Sequence, residues 1–195
     1  MKISCFFVLL FLNIIVHGQA AFETIPFSDW KDKSLPDHDW ITLNGDTLNQ
    51  SFFHGKVCFF NFFMAGCPPC MQEVKYLNKL FNHYSDSTNV CIVGIFSGDK
   101  DDFIKYYKFE ESISKASSNS TLQLKYSRVS VPKYTILLID FNHFKFKYHA
   151  WGVPSNLIID KNGYVQFCKS GFPSEQLFQE KYYSEFVSEI DKLRQ

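Results

Sequence analysis

Cys67 and Cys70 are separated by Pro68-Pro69, a spacing that suits thiol–disulfide exchange. In that chemistry one thiolate attacks a disulfide, and a second thiol close by resolves the mixed disulfide. The flanking residues favour this use. Lys56 to Phe63 (K-V-C-F-F-N-F-F) is a nearly continuous apolar run of the kind a doubly covered strand needs. Beyond the cysteines, Val74, Leu77, Leu80, Phe81 and Tyr84 recur three and four apart, which predicts an amphipathic helix. Two prolines are tolerated in a helix's first turn, where the missing N–H costs little. Cys67 is therefore expected at the helix N-terminus, where unpaired N–H groups and the helix dipole favour its thiolate. Cys70, in the first turn, is the expected resolving thiol. Glu73 lies three residues further along the same face, placed to take the proton of Cys70 if it is partly buried.

Two other uses of a C-x-x-C pair compete. A structural zinc site normally takes four ligands. The sequence has no second C-x-x-C, and His38, His54, His83, His143 and His149 are scattered. No metal and no cofactor are expected. An inert structural bridge is the other alternative. Cys58 and Cys91 sit in strand-like apolar runs and read as small core residues. Cys168 falls in a late strand and receives no role.

The elements that must position the pair follow from pattern. Trp40 to Leu43 and Thr47 to Leu48 flank Asn44-Gly45-Asp46, a hairpin signal. Val90 to Phe96 is a second buried strand, stopped by Ser97-Gly98-Asp99, and Asp101 to Glu111 reads as a helix. Residues 112–130 carry no clear pattern. Tyr134 to Asp140 reads as a strand. Asn156 to Ile159 and Tyr164 to Cys168 form a hairpin through Asp160-Lys161-Asn162-Gly163. Ser174 to Leu193 is a helix with Phe178, Tyr182, Phe186 and Ile190 four apart.

The first twenty residues stand outside this domain. Lys2 precedes an apolar run from Ile3 to Val16, followed by Gly18-Gln19-Ala20-Ala21, the pattern of a cleaved secretory leader. As a helix that run reaches about 21 Å, short of a bilayer's ~30 Å core. The expected division is a leader over residues 1–20 and one domain over residues 21–195. Export places the remaining cysteines where disulfides persist. Twenty basic residues balance twenty acidic ones, so no net field steers the chain to nucleic acid, which is not an expected partner.

Two stretches carry a family resemblance. Gly55-Lys56-Val57-Cys58-Phe59-Phe60-Asn61-Phe62-Phe63-Met64-Ala65-Gly66-Cys67-Pro68-Pro69-Cys70-Met71-Gln72-Glu73 resembles the signature G-K-V-V-L-V-N-F-W-A-x-W-C-x-P-C-x-x-E of TlpA/ResA-type thioredoxin-like proteins, which are AhpC/TSA-related. Downstream, Trp151-Gly152-Val153-Pro154-Ser155-Asn156-Leu157-Ile158-Ile159-Asp160-Lys161-Asn162-Gly163 is similar to that family's Y-G-V-P-T-T-F-L-I-D-x-x-G stretch. The resemblance implies an α/β thioredoxin-like fold: a central mixed sheet flanked by helices, with an N-terminal β-hairpin extension and an insert before the cis-proline loop. It implies a periplasmic or membrane-tethered oxidoreductase that reduces protein disulfides, apocytochrome thiols among them, and that is recharged by a membrane electron donor of unknown identity. Cys67 is then the nucleophile, Cys70 the resolving thiol and Glu73 the active-site glutamate. Pro154 is the cis-proline, whose preceding residue, Val153, presents its backbone to an extended protein substrate. Asn61 stands where cytoplasmic thioredoxins carry a buried aspartate. Three positions depart from the pattern. Phe63 and Gly66 replace two tryptophans, and Lys75 replaces a proline. Loss of the aromatic beside Cys67 is expected to remove a wall of the substrate surface and to expose the sulfur.

Two further functions fit the same residues less well. Peroxiredoxins resemble P-x-x-x-[ST]-x-x-C, but Phe60 and Met64 hold the proline and hydroxyl positions here. A non-catalytic or metal-carrying envelope module is the remaining alternative.

Overall fold

The computed structural model describes residues 27–107, 130–148 and 152–195. The expected leader and residues 112–129 lie outside the described residues. Seven strands form one mixed sheet: β1 (Trp40–Thr42), β2 (Thr47–Leu48), β3 (Val57–Met64), β4 (Val90–Ser97), β5 (Thr135–Ile139), β6 (Ser155–Ile159) and β7 (Val165–Ser170). Their spatial order is β2-β1-β5-β4-β3-β6-β7. Among the described residues three helices pack on it: α1 (Pro68–His83), α2 (Lys100–Tyr107) and α3 (Gln176–Arg194). Strands β3, β4 and β5 run parallel, β6 lies antiparallel beside β3, and β7 lies antiparallel beside β6. The predicted N-terminal hairpin exists and joins the sheet through β1 against β5.

β3 is central because its sequence is apolar on both faces, and seven of its eight residues are buried. Strand side chains alternate between faces. Val57, Phe59 and Phe63 therefore meet the helices, joining Val74, Leu77 and Leu80 of α1 and Phe186 and Ile190 of α3. Phe60 and Phe62 enter the opposite core, with Trp30, Trp40, Val93, Ile95 and Tyr148. The same alternation turns Asn61, between Phe60 and Phe62, toward α1.

The helix read as Asp101 to Glu111 is described over Lys100–Tyr107, and residues 108–111 lie outside the described residues. One expectation changes. In α3 the buried stripe is Gln179, Tyr182, Phe186 and Ile190, whereas Phe178 is 50% exposed. A strict four-residue repeat drifts about 40° per step on a helix of 3.6 residues per turn. Three steps back from Ile190, Phe178 has rotated off the core by about 120°.

Candidate active site

Cys67 and Cys70 stand where β3 hands the chain to α1. Ala65-Gly66 make the turn, and Gly66 takes φ +70°, a left-handed conformation suited to glycine. Cys67 is the N-cap of α1, with extended backbone, and its Sγ accepts the N–H of Cys70 at 3.3 Å. The helix thus offers one of its free N–H groups to this sulfur. The two cysteines are joined as a disulfide with Cα atoms 5.3 Å apart, so neither titrates in this state.

The cis bond between Val153 and Pro154 faces the pair. Cys67 Sγ lies 3.8 Å from the carbonyl oxygen of Val153. This loop replaces the missing aromatic wall. Although nothing stands within 4 Å of where a Gly66 Cβ would be, Cys67 is only 8% exposed, and Cys70 1%. The sulfur is therefore not laid open as the glycine had suggested.

Beneath the disulfide, Glu73 is fully buried on α1. Its Oε2 accepts from Asn61 Nδ2 at 2.9 Å; its Oε1 accepts from Asn156 Nδ2 and from the Tyr182 hydroxyl, each at 2.8 Å. Asn61 and Asn156 are register partners on β3 and β6, and Asn61 Nδ2 also donates to Asn156 Oδ1 at 2.9 Å. Asn156 spends its second N–H on the Tyr182 oxygen at 2.7 Å. Every amide hydrogen of the two asparagines thus has a use within the cluster. Burial pushes the Glu73 carboxyl up from 4.5 to about 7, against the hydrogen bonds from Tyr182, Asn156 and Asn61, which favour the anion. A carboxyl poised there can gain or lose a proton near neutrality.

The structure therefore brings together Cys67, Cys70, Glu73, Val153 and Pro154, as well as Asn61. Two contributors escape a reading of the sequence, Asn156 and Tyr182. Tyr182 reads as one apolar tooth of the α3 stripe, and Asn156 as the start of a strand. The available signal was an asparagine in each of two largely apolar strands, Asn61 and Asn156, both buried and needing partners. Among the described residues no group of three or more His, Cys, Asp or Glu side chains could hold a metal.

The sequence profile of the AhpC/TSA family matches residues 29–168. The chain belongs to the AhpC/TSA family. Within it, the chain is of the TlpA/ResA thioredoxin-like type. It is 24% identical to the thioredoxin-like protein YneN of Bacillus subtilis over 149 residues, covering 76% of each chain. It is 32% identical to the thiol-disulfide oxidoreductase ResA of Bacillus thuringiensis over 89 residues, which is 43% of this chain and 51% of that one. The match thus spans about half the length of this ResA. Solved structures share the fold: a thiol:disulfide interchange protein from Bacteroides sp. superposes with a TM-score of 0.55 at 19% identity, covering 83% of this chain and 90% of the other. The thioredoxin domain of a Bacteroides vulgatus thiol-disulfide oxidoreductase gives 0.52 at 19% identity, with 80% and 97% covered. This AhpC/TSA chain thus has the α/β thioredoxin fold of its relatives.

Proposed function

We propose that the chain is an exported protein thiol–disulfide oxidoreductase working as a reductant, with Cys67 and Cys70 as its exchange pair. The observation that carries this reading is Cys67 as N-cap of α1, with its sulfur beside the Val153 carbonyl and bonded to Cys70.

In the reduced protein the Cys67 thiolate, favoured by the N-terminus of α1, attacks a disulfide sulfur of a protein substrate. A mixed disulfide forms and one substrate thiolate leaves. Cys70 then yields its proton toward Glu73 and attacks Cys67 Sγ, expelling the second substrate thiolate. The substrate gains two electrons, and the protein is left with the Cys67–Cys70 disulfide. The backbone of Val153, fixed by Pro154, holds the extended substrate segment. A membrane dithiol donor returns the electrons. In this reading residues 1–20 are a leader and residues 21–195 form the working domain outside the cytoplasm. Resemblance to ResA supports the reductive direction, with disulfide-bonded apocytochrome cysteines as a substrate class.

Insulin reduction with dithiothreitol tests the exchange. Cys67→Ser should abolish catalysis, and Cys70→Ser should accumulate mixed disulfides through Cys67. Full activity of Cys67→Ser would end the proposal. Equilibration against glutathione then reads the direction: a reductant should lie near −270 mV and an oxidant near −120 mV, the known ends of the scale.

A further inference from the structure

A second pair of cysteines meets on the face of the sheet turned away from α1. Cys58 and Cys91 are direct partners in the parallel β3–β4 ladder, so both side chains point the same way. Cys58 belongs to the core of Trp40, Phe60, Val93 and Ile95, and Cys91 packs against it. Neighbouring strands lie about 4.8 Å apart, within the Cα separation that a disulfide can span. Their register sets the two thiols side by side on one face of the sheet. Cys58 is 1% exposed, and its sulfur lies 3.6 Å from the carbonyls of Phe53 and Lys56. Cys91 keeps partial exposure, and both are free thiols.

We propose that Cys58 and Cys91 are a second redox-active dithiol, closed reversibly to a disulfide by a low-molecular-weight disulfide.

The pair is asymmetric in the way such a reaction needs. The neighbouring Cys58 thiol and the Lys56 ammonium hold the Cys91 thiol below its usual range against the penalty of burial. The neighbouring Cys91 and burial push the Cys58 thiol up. Cys91 is also the more accessible of the two. Its thiolate attacks one sulfur of the small disulfide, forming a mixed disulfide and releasing one small thiolate. Cys58 attacks Cys91 Sγ and passes its proton to the second small thiolate, which leaves as a thiol. The protein loses two electrons, and the oxidant takes both as it becomes two thiols. The six steps along β3 from Cys58 to Met64 span about 20 Å, and Cys67 lies beyond. Direct exchange between the two pairs within one molecule is thereby ruled out. The site does not depend on the function proposed for Cys67 and Cys70.

The test is exposure of the whole chain to oxidised glutathione, then alkylation and peptide mapping without reduction. Both Cys58 and Cys91 should be lost to alkylation and recovered in one cross-linked peptide, and dithiothreitol should restore both. Cys58→Ala should hold glutathione on Cys91, while Cys91→Ala should leave Cys58 unmodified. The same cross-link is expected in a Cys67→Ser/Cys70→Ser background. Wild-type protein that keeps both thiols alkylatable, stops at the glutathione adduct, or pairs Cys91 with Cys168 overturns the proposal.

Discussion

The hydroxyl of Tyr182 lies 2.8 Å from the carboxylate of Glu73, 109 residues earlier in the chain. The same oxygen is 2.8 Å from the Gly171 carbonyl and accepts from Asn156. Its single proton can serve only one acceptor at a time, and the ionised carboxylate is the stronger. Through this contact α3 is tied to the proton acceptor proposed for Cys70.

Tyr182→Phe removes a donor that favours ionised Glu73. A hydrogen bond to a charged group contributes about 1.5–3 kcal/mol, or roughly one to two pH units. The carboxyl value of about 7 should therefore rise. Since the proton-accepting form exists only above that value, the rise of insulin-reduction rate with pH should shift upward by about one to two pH units. Activity at pH 7 should fall and largely recover by pH 9. A pH–rate profile checks this. An unshifted midpoint with a uniformly lower rate would reduce Tyr182 to a structural role.

Glu73 also imposes a pH dependence on stability. Its folded value of about 7 lies above the ordinary 4.5, so between those limits the folded state binds more protons than the unfolded chain. Stability contributed by this group is complete below pH 4.5, declines as pH rises to 7, and is level above. The span corresponds to about 3 kcal/mol. Glu73→Gln, which cannot ionise, should lose this slope. Guanidinium unfolding of the oxidised protein at pH 5 and pH 8 measures it. The wild type should weaken by about 2–3 kcal/mol more than the variant between the two.

The dithiol, the strand before it and the step to Glu73 were legible because each is a local pattern: C-P-P-C after an apolar run and a three-residue spacing along one helix face, whereas the cis-proline was legible only through the family resemblance of Trp151 to Gly163. The Glu73 cluster was not, because its partners arrive from β3, β6 and α3, and nothing in the linear order joins Asn61, Asn156 and Tyr182. Phe178 was misplaced because a four-residue spacing was extended over three turns without its drift. The turn His143–Lys147 is a π-helix, and its F-K-F-K alternation hid the four-residue interval between buried Phe144 and Tyr148.

Gly94 explains how closely β4 approaches its neighbours. A Cβ there would lie 2.8 Å from Ile136 Cδ1 and Phe63 Cε1, and 2.9 Å from Tyr134 Cε2. Three buried side chains would have to move together, and overpacking of this kind costs about 1–3 kcal/mol. Gly94→Ala should lower the urea midpoint without changing the reduction potential of Cys67–Cys70. An unchanged midpoint would mean that the ring of Phe63 and its neighbours have room to yield.

Asn61→Asp would test why an amide, and not an acid, stands over Glu73. Asn61 donates one N–H to Glu73 and the other to Asn156 Oδ1. An aspartate offers neither when ionised and brings a second carboxylate to about 3 Å from the first, so the two cannot both ionise at low cost. The pair should titrate in two steps, one well above pH 7 and one below, as coupled carboxylates do. Above the upper step an uncompensated buried charge costs about 3–5 kcal/mol. The variant should fold near pH 5 and lose stability steeply toward pH 9, and its insulin-reduction rate should peak at a higher pH than the wild type's. Carbon-detected NMR of the two carboxyls follows the steps directly. If both titrate near 4.5, water reaches the cluster and the dry environment inferred for Glu73 is wrong.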